Sequence, residues 1–491
     1  MNLTLSRSRL LMSALILAVL LLVAAVAARL FLTGLAFDAV LKHAGASEIR
    51  FEVTQASLWQ VVMKDVGFLL DLQPFTAERV SLERAHWWTP SLGSLRVESA
   101  RVPIRLHDPA RSPAPERKPA GAVILPFEEI SIDGQVVIQA DGQADQALTV
   151  TIEARPGPGK IWAGSARVSA PGLAGRGEGT YDLASEALVF RVPELALDLK
   201  PWAAFAQQVL PLPENDWTVE GQVSGSLEGR WADGALTGTG RVSWRDGRAT
   251  STKQAITATG IEADLELSDL AQLVGKAGTV RIREVQTGKL TLSALAADFT
   301  MAGMDHLTVN HATLETLGGR VTAEPFRLVP SQAELDAVFR VEGIQVEQVM
   351  ALTESLPAKA TGRVNGRVPV RLTKEGLRLG TGWLGLMPGV QAEIEFNAKG
   401  LLTGGASAGT PTFAVLQKIE SGLLRLRISE LRLDIRPTDA PEGRSAQLHL
   451  KGEPVDREVK APVILDLNVN GPLEKLINLG MDSRLSVGTK P

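Results

Sequence analysis

Apolar and polar positions follow three successive rhythms along this chain. The first is a single run, Leu10–Ala28, nineteen residues without a charge, set between Arg9 and Arg29. As a helix rising ~1.5 Å per residue it would span ~28 Å, close to the thickness of a bilayer's hydrocarbon core. The second is helical: Leu30, Gly34, Phe37, Leu41 and Ala44 share one face, while Asp38 and Lys42 lie on another. From Ile49 onward the period is two. Ile49, Phe51 and Val53 alternate with Arg50, Glu52 and Thr54, which predicts a strand with one apolar face.

The period of two then persists almost to the end. It is read in Val80-x-Leu82, Leu95-x-Val97, Ile104-x-Leu106, Ile261-x-Ala263-x-Leu265-x-Leu267 and Val280-x-Ile282. Leu290-x-Leu292, Ala297-x-Phe299-x-Met301, Leu307-x-Val309, Leu335-x-Ala337-x-Phe339-x-Val341 and Val463-x-Leu465-x-Leu467-x-Val469 continue it. At roughly 12 residues per strand and turn this amounts to ~28 strands. Between Leu424-x-Leu426-x-Ile428 and Leu431-x-Leu433-x-Ile435 the apolar phase slips, which demands a bulge or a turn at Ser429-Glu430. Helices are few: Pro201–Val209, Ile344–Ser355 and Phe413–Ser421. Strands without crossover helices predict an antiparallel sheet. Asp133-Gly134, Asp141-Gly142, Asp233-Gly234 and Asp246-Gly247 read as hairpin turns.

The segment 107–121 breaks the rhythm with Pro109, Pro113, Pro115 and Pro119, and predicts an extended linker or long loop. Trp59, Trp87 and Trp88 lie just before it. Packing on strands is the expected role, with an interfacial belt beside the membrane as the alternative.

Arg7 and Arg9 precede the apolar run with no acidic residue among the first nine, which keeps the N-terminus cytoplasmic and sends the rest across the membrane. Ala25-Val26-Ala27 also fits a small-x-small cleavage site, but a core this long, continuing into Leu30-Phe31-Leu32, favours a retained single-pass anchor. Either reading exports about 460 residues. A net charge of −4 with both signs interspersed offers no basic tract for nucleic acid. Zero cysteines removes disulfides, thiol nucleophiles and Cys-based metal sites. No second apolar run reaches spanning length, so a multi-helix channel or carrier is excluded.

Catalytic motifs fail on context. Gly380-Thr-Gly382-Trp-Leu-Gly385 matches G-x-G-x-x-G, yet Pro388-Gly389 ends any helix that would begin there. Gly405-Ala-Ser407-Ala-Gly409 matches a nucleophile elbow, with Asp434 and His449 in hydrolase order, but sits in a run of small residues amid antiparallel strands. His306 and His311 are five apart in a strand pattern and face opposite sides, and Glu393 and Glu395 share a solvated face opposite Ile394 and Phe396. No enzyme, cofactor or metal is expected.

Several blocks resemble the AsmA-like envelope proteins and, within them, the YdbH-type intermembrane lipid-transport family. They are Val219–Gly229 with Gly234–Gly240, Leu317-Gly-Gly-Arg-Val321 with Pro325-Phe326, and Val341–Met350. Ala360–Val370, Gly376–Gly380 with Pro388-Gly389, and Leu465–Ile477 complete the set. The resemblance implies a mainly β fold: a transmembrane helix followed by a long, twisted antiparallel β-groove with few short helices. It implies that the groove carries phospholipid between the inner and outer membranes of a Gram-negative cell, in the periplasm, and contributes to outer-membrane biogenesis. The layout becomes a cytoplasmic tail (1–9), an anchor (10–29), a membrane-proximal helix (30–46), an N-terminal β segment (47–106), the linker (107–122), a repetitive groove (123–340) and a YdbH-like C-terminal region (341–491). Candidate groove-lining residues are Leu265, Leu267, Leu290, Leu292, Phe299, Met301, Phe339, Val341, Ile394, Phe396, Leu465 and Leu467. The expected partners are phospholipid, the inner membrane and a small outer-membrane lipoprotein pairing with Ser445–Lys451 or Val463–Asn470.

Alternation by itself leaves two architectures open, an apolar face covered by lipid and a closed sandwich with an ordinary core. Two rival functions go with them. One is a structural or assembly factor bridging the envelope, and the other is an exported hydrolase using Ser407.

Overall fold

The structure is a computed structural model that describes residues 30, 32–39, 41–42, 45–70, 73–84, 92–105, 127–139, 145–203, 217–253, 255–303, 305–329, 334–352, 358–373, 376–396, 403, 409–436, 444–455 and 462–470. The apolar run 10–28 lies outside these residues, as do the linker 107–122, Trp87, Trp88 and Ser407. Among the described residues no helix is long and apolar enough to cross a membrane. The chain is mainly β, and it divides into two compact units. One runs to Leu197 and includes Gly225–Gly238; the other holds Asp198–Ser224 and everything from Thr239.

The first unit contains β1 (Ser47–Ala56), β2 (Gln60–Leu70), β3 (Gln73–Arg84), β4 (Leu92–Arg105), β5 (Phe127–Gln139), β6 (Gln146–Pro156), β7 (Ile161–Ala170), β8 (Leu173–Asp182) and β9 (Ala187–Asp198). Each pairs with the next, and every pairing but one is antiparallel. The exception corrects the expectation of a purely antiparallel sheet: β4 and β5 are parallel, from Leu92 opposite Phe127 to Arg105 opposite Gln139. A parallel pair needs a connection of a dozen or more residues, and the proline-rich stretch between these strands is long enough to supply it. Helix α1, described over residues 32–39, lies against β1. The Phe37 ring meets Phe51 edge-on at 5.2 Å between centroids, and Asp38 pairs with Lys42 at 2.7 Å on the other face.

Strands β10 (Trp217–Ala232) and β11 (Ala235–Ser251) contribute residues to both units. The second unit continues through β12 (Ile256–Asp269), β13 (Val274–Thr287), β14 (Leu290–Ala302), β15 (Leu307–Thr316), β16 (Gly319–Ala323), β17 (Phe326–Val329) and β18 (Glu334–Gln345). After these come β19 (Ala358–Thr361), β20 (Arg363–Thr373), β21 (Gly376–Leu379), β22 (Gly382–Leu386), β23 (Ala392–Phe396), β24 (Arg425–Ile435), β25 (Arg444–Pro454) and β26 (Val463–Asn470). From β11 to β15 this is a meander of long strands. Beyond it, short strands share neighbours: β16 and β17 both bridge β15 to β18, and β22 and β23 both pair with β24. The helices are α2 (199–203), α3 (Val346–Ala351) and α4 (Pro411–Leu424), the last capped by Thr410, whose hydroxyl accepts from the Phe413 N–H at 3.1 Å.

A strand of fourteen or seventeen residues seldom keeps one face apolar without a correction. Here the correction is a bulge. Asp246 in β11, Gly260 in β12, Ala294 in β14 and Gly343 in β18 have φ of 50°, 64°, 48° and 66°. In the first unit Asp65 in β2 and Ser99 in β4 have φ of 49° and 53°. Each bulge shifts the alternation by one residue. Ala258 and Ile261, three apart, are therefore both buried, as are Met63 and Val66. Leu290-x-Leu292 and Leu295-x-Ala297-x-Phe299-x-Met301 thus belong to a single strand and fall in one lane. The slip expected at Ser429-Glu430 is likewise a bulge within β24, with the register against β25 shifting between Ile428 and Glu430.

Two predicted hairpins are corrected. Asp133-Gly134 lies inside β5 and Asp246-Gly247 inside β11; of the described pairs, Asp233-Gly234 turns the chain between β10 and β11. Asp-Gly suits a bulge or a close approach as readily as a turn, because glycine needs neither a Cβ nor a negative φ. Trp59 is also corrected. It stands on the turn after β1, 53% exposed, rather than packing on a strand.

Glycines on the apolar side mark close approaches of neighbouring backbones. A Cβ at Gly164 in β7 would stand 2.7 Å from the Glu153 carbonyl of β6. Gly164→Ala is expected to destabilise the first unit by ~1–3 kcal/mol through overpacking, measured as a lower denaturant midpoint. An unchanged midpoint would show that β6 and β7 can separate without cost.

Candidate functional site

The site built by these strands is a face rather than a pocket. Residues opposite each other in register share a side of the sheet, so the pairing traces each face across the second unit. One row runs Val242, Leu265, Gly278, Phe299, Val309 and Phe326. The next runs Leu267, Gly275, Met301, Leu307, Leu328 and Leu335. A third passes through Leu314, Val321, Val341, Gly366, Leu384, Leu433, Leu448 and Leu467. Ala360, Ile394, Leu426, Ile428, Leu450, Phe396, Val463 and Leu465 form a cluster at the far end.

All twelve candidate lining residues fall on this side. Leu265, Leu267, Phe299 and Met301 are joined by direct register, and Leu290 and Leu292 reach it through the bulge at Ala294. Phe339 and Val341 follow through β16, Ile394 and Phe396 through β23, and Leu465 and Leu467 opposite Leu450 and Leu448. Leu267 and Ile394 are buried; most of the others are half-buried, and Leu467 on β26 is 46% exposed.

Trp244, which the alternation did not single out, belongs here as well. It is opposite Ala263, and its indole lies across Gly221 and Gly247, with Nε1 buried and lacking a hydrogen-bond partner among the described groups. Its signal was the phase Val242-x-Trp244 in a strand otherwise read for its Asp-Gly.

Among the described residues, the extensive strand contacts within each unit are between hydrogen-bonded neighbours. The described strands belong to one hydrogen-bonded sheet rather than two. The first unit's strands repeat the arrangement, with Ile132, Ile152 and Ala166 in one row and Val136 opposite Leu148. Its buried cluster, Met63, Val66, Ala77, Val80, Val97 and Ala100, is roofed by Phe37 of α1.

The opposite side is ionic. Asp264 accepts from Arg245 and from the Ser243 hydroxyl, both at 2.6 Å, and these bonds hold its carboxyl below the usual carboxylate range. Glu324 takes Arg367 and Arg340 at 3.2 and 3.1 Å, which lowers its pKa in the same way. Asp336–Arg371, Glu393–Arg425 and Glu430–Lys451 extend the pattern. Such exposed pairs add little stability one by one. Together they make one side of the ladder wet and leave the other dry.

The hydrolase constellation is not assembled by the described residues. His449 Nδ1 contacts Asp466 at 2.7 Å across β25 and β26, while Asp434 pairs with Arg432. Gly382–Leu386 is a strand, so no helix opens at the G-x-G-x-x-G match. His306 precedes β15 in a turn and His311 is exposed within it; no acidic or histidine cluster able to hold a metal occurs among the described residues.

No curated protein and no solved structure matches the chain. A family model described as YdbH-like, intermembrane phospholipid transport protein YdbH, matches residues 132–385, just over half of the sequence. On that match, which runs from within β5 into β22, the chain belongs to the YdbH-like family of intermembrane phospholipid transport proteins.

Proposed function

We propose that the protein conducts phospholipids between the inner and outer membranes, with acyl chains lying on the apolar face of its sheet and headgroups toward water. It is held in the inner membrane by Leu10–Ala28, with its N-terminus in the cytoplasm and its strands in the periplasm. The observation that carries this reading is the register-continuous apolar face from β11 to β26, half-buried within one hydrogen-bonded sheet. Burial of acyl chains releases ~0.8 kcal/mol per CH₂ relative to water. A lipid leaving a bilayer must regain most of that at every step, so continuity of the face matters more than the depth of any one site. The bulges supply that continuity. Such a conduit needs no covalent step, and among the described residues His449 and Asp434 pair with Asp466 and Arg432 on the ionic side.

Transfer to the far membrane requires a partner at the last strand. Strand β26 pairs with β25 through Leu465–Leu450 and Leu467–Leu448, and its Ile464 and Leu467 are 57% and 46% exposed. An edge of this kind accepts a further strand, and a small outer-membrane lipoprotein is the occupant in this reading.

A photo-crosslinker placed at Phe299 or Phe339 is expected to capture phospholipid in cells, while one at Asp298 or Arg340 on the ionic side is not. Equal capture from both sides, or none from either, would exclude an apolar conduit and favour a structural or assembly role. Proline at Leu465 is expected to abolish transport while leaving the protein in the membrane, because it removes a ladder donor. Unimpaired transport after deletion of residues 461–491 would exclude strand addition at this edge.

A further inference from the structure

The turn between β1 and β2 carries two large apolar side chains into solvent: Leu58 is 59% and Trp59 is 53% exposed. Its backbone is closed on itself. The Ser57 N–H donates to the Gln60 carbonyl at 2.8 Å, and the Ser57 hydroxyl donates to the same carbonyl at 3.0 Å. That hydroxyl also accepts from the N–H groups of Trp59 and Gln60, at 3.2 and 2.8 Å. The Trp59 carbonyl accepts from the Arg84 N–H at 2.8 Å. Each such bond lowers the cost of moving the turn's polar groups out of water. An indole has an apolar body and a polar N–H, and is suited to the headgroup boundary.

The direction of α1 says where that boundary lies. Gly34 stands against Phe51 and Val53, at 3.5 Å for a Cβ built on it, while Phe37 contacts Phe51. Moving from Phe37 back to Gly34 therefore carries the helix toward the C-terminal end of β1. Four further residues, ~6 Å at helical rise, reach Leu30, the first described residue. Four residues of β1 beyond Val53, ~13 Å at strand rise, reach Ser57. The described start of α1 and the Leu58–Trp59 tip are thus at the same end of the unit. Leu32 and Leu35, 64% and 52% exposed on α1, are turned away from the sheet near that end.

We propose that the β1–β2 tip, through Leu58 and Trp59, inserts into the headgroup region of the bilayer that holds the anchor. This rests on the reading of Leu10–Ala28 as a retained anchor. The consequence bears on loading. At the tip end, Ala56, Val61, Leu82 and Leu95 form the first row of the apolar face, and docking would set that row against the acyl region from which lipid must come.

The absence of cysteine makes the test direct. Full-length L58C carrying a nitroxide is reconstituted in vesicles of phosphatidylethanolamine and phosphatidylglycerol, beside V189C as a control at an exposed position of β9. Vesicle flotation is scored first, then accessibility to oxygen and to a water-soluble nickel complex. The expected result is co-flotation of both proteins, with the label at residue 58 open to oxygen and shielded from nickel, and that at 189 the reverse. Co-flotation with residue 58 as open to nickel as residue 189 would overturn tip insertion while leaving the anchor intact. Failure of both proteins to float would overturn the anchor reading, and tip insertion with it. Circular dichroism matching the unlabelled chain excludes misfolding as the cause.

Discussion

Phase is the constraint on which the rest of this structure depends. Neighbouring strands are held by backbone hydrogen bonds that run the length of each ladder, yet those bonds are indifferent to which side a residue faces. The side is set by a period of two, and a slip of one residue would turn every following leucine outward. Over strands as long as β11 and β14 the sequence does slip. Asp246, Gly260, Ala294 and Gly343 absorb the slip in left-handed conformations, and the apolar lane survives from one end of each strand to the other. Non-glycine residues at such angles carry a local cost. The continuous face is what that cost sustains.

The same phase separates the electrostatics. Arg245 and Asp264, Glu324 with Arg340 and Arg367, and Arg425 with Glu393 occupy cross-strand positions on the side opposite Leu265, Phe339 and Ile394. Opposite charges side by side avoid the repulsion that a lane of one sign would build. They also keep that side hydrated. A sheet with a wet side and an apolar side is a poor globular core when most of its described leucines and phenylalanines remain only half-buried. It is a good surface for a mobile apolar cargo, which gains burial without having to break a packed core.

The buried clusters lie in the first strands and in the last. In the first unit Phe37 of α1 packs against the buried cluster of β2, β3 and β4. In the second, β23, β24 and β25 pack Ala392, Ile394, Leu426, Ile428 and Leu450 together. Strands between carry few fully buried side chains, Ile261, Leu267 and Val309 among them. Buried side chains are thus concentrated in the first and last described strands and sparser between them.

Much of this was legible in the residues. Alternation fixed the mainly β class and placed the twelve lining candidates on one side, because a side chain's face follows from its neighbours in the chain. The slip after Ile428 was legible for the same local reason. Other features depended on strands meeting that are distant in sequence. Nothing local to Leu92–Arg105 or Phe127–Gln139 says that they run parallel. Asp133-Gly134 looks like a turn until Ala100 is found beside it, leaving room only for a glycine. Trp59 looks like packing material until the turn beneath it is seen to spend its backbone hydrogen bonds on itself and on β3. A period of two specifies faces. Which strands meet, and where a bulge is tolerated, is decided only when the ladders form, since that depends on the free energy of pairing between segments whose separation the sequence pattern does not encode.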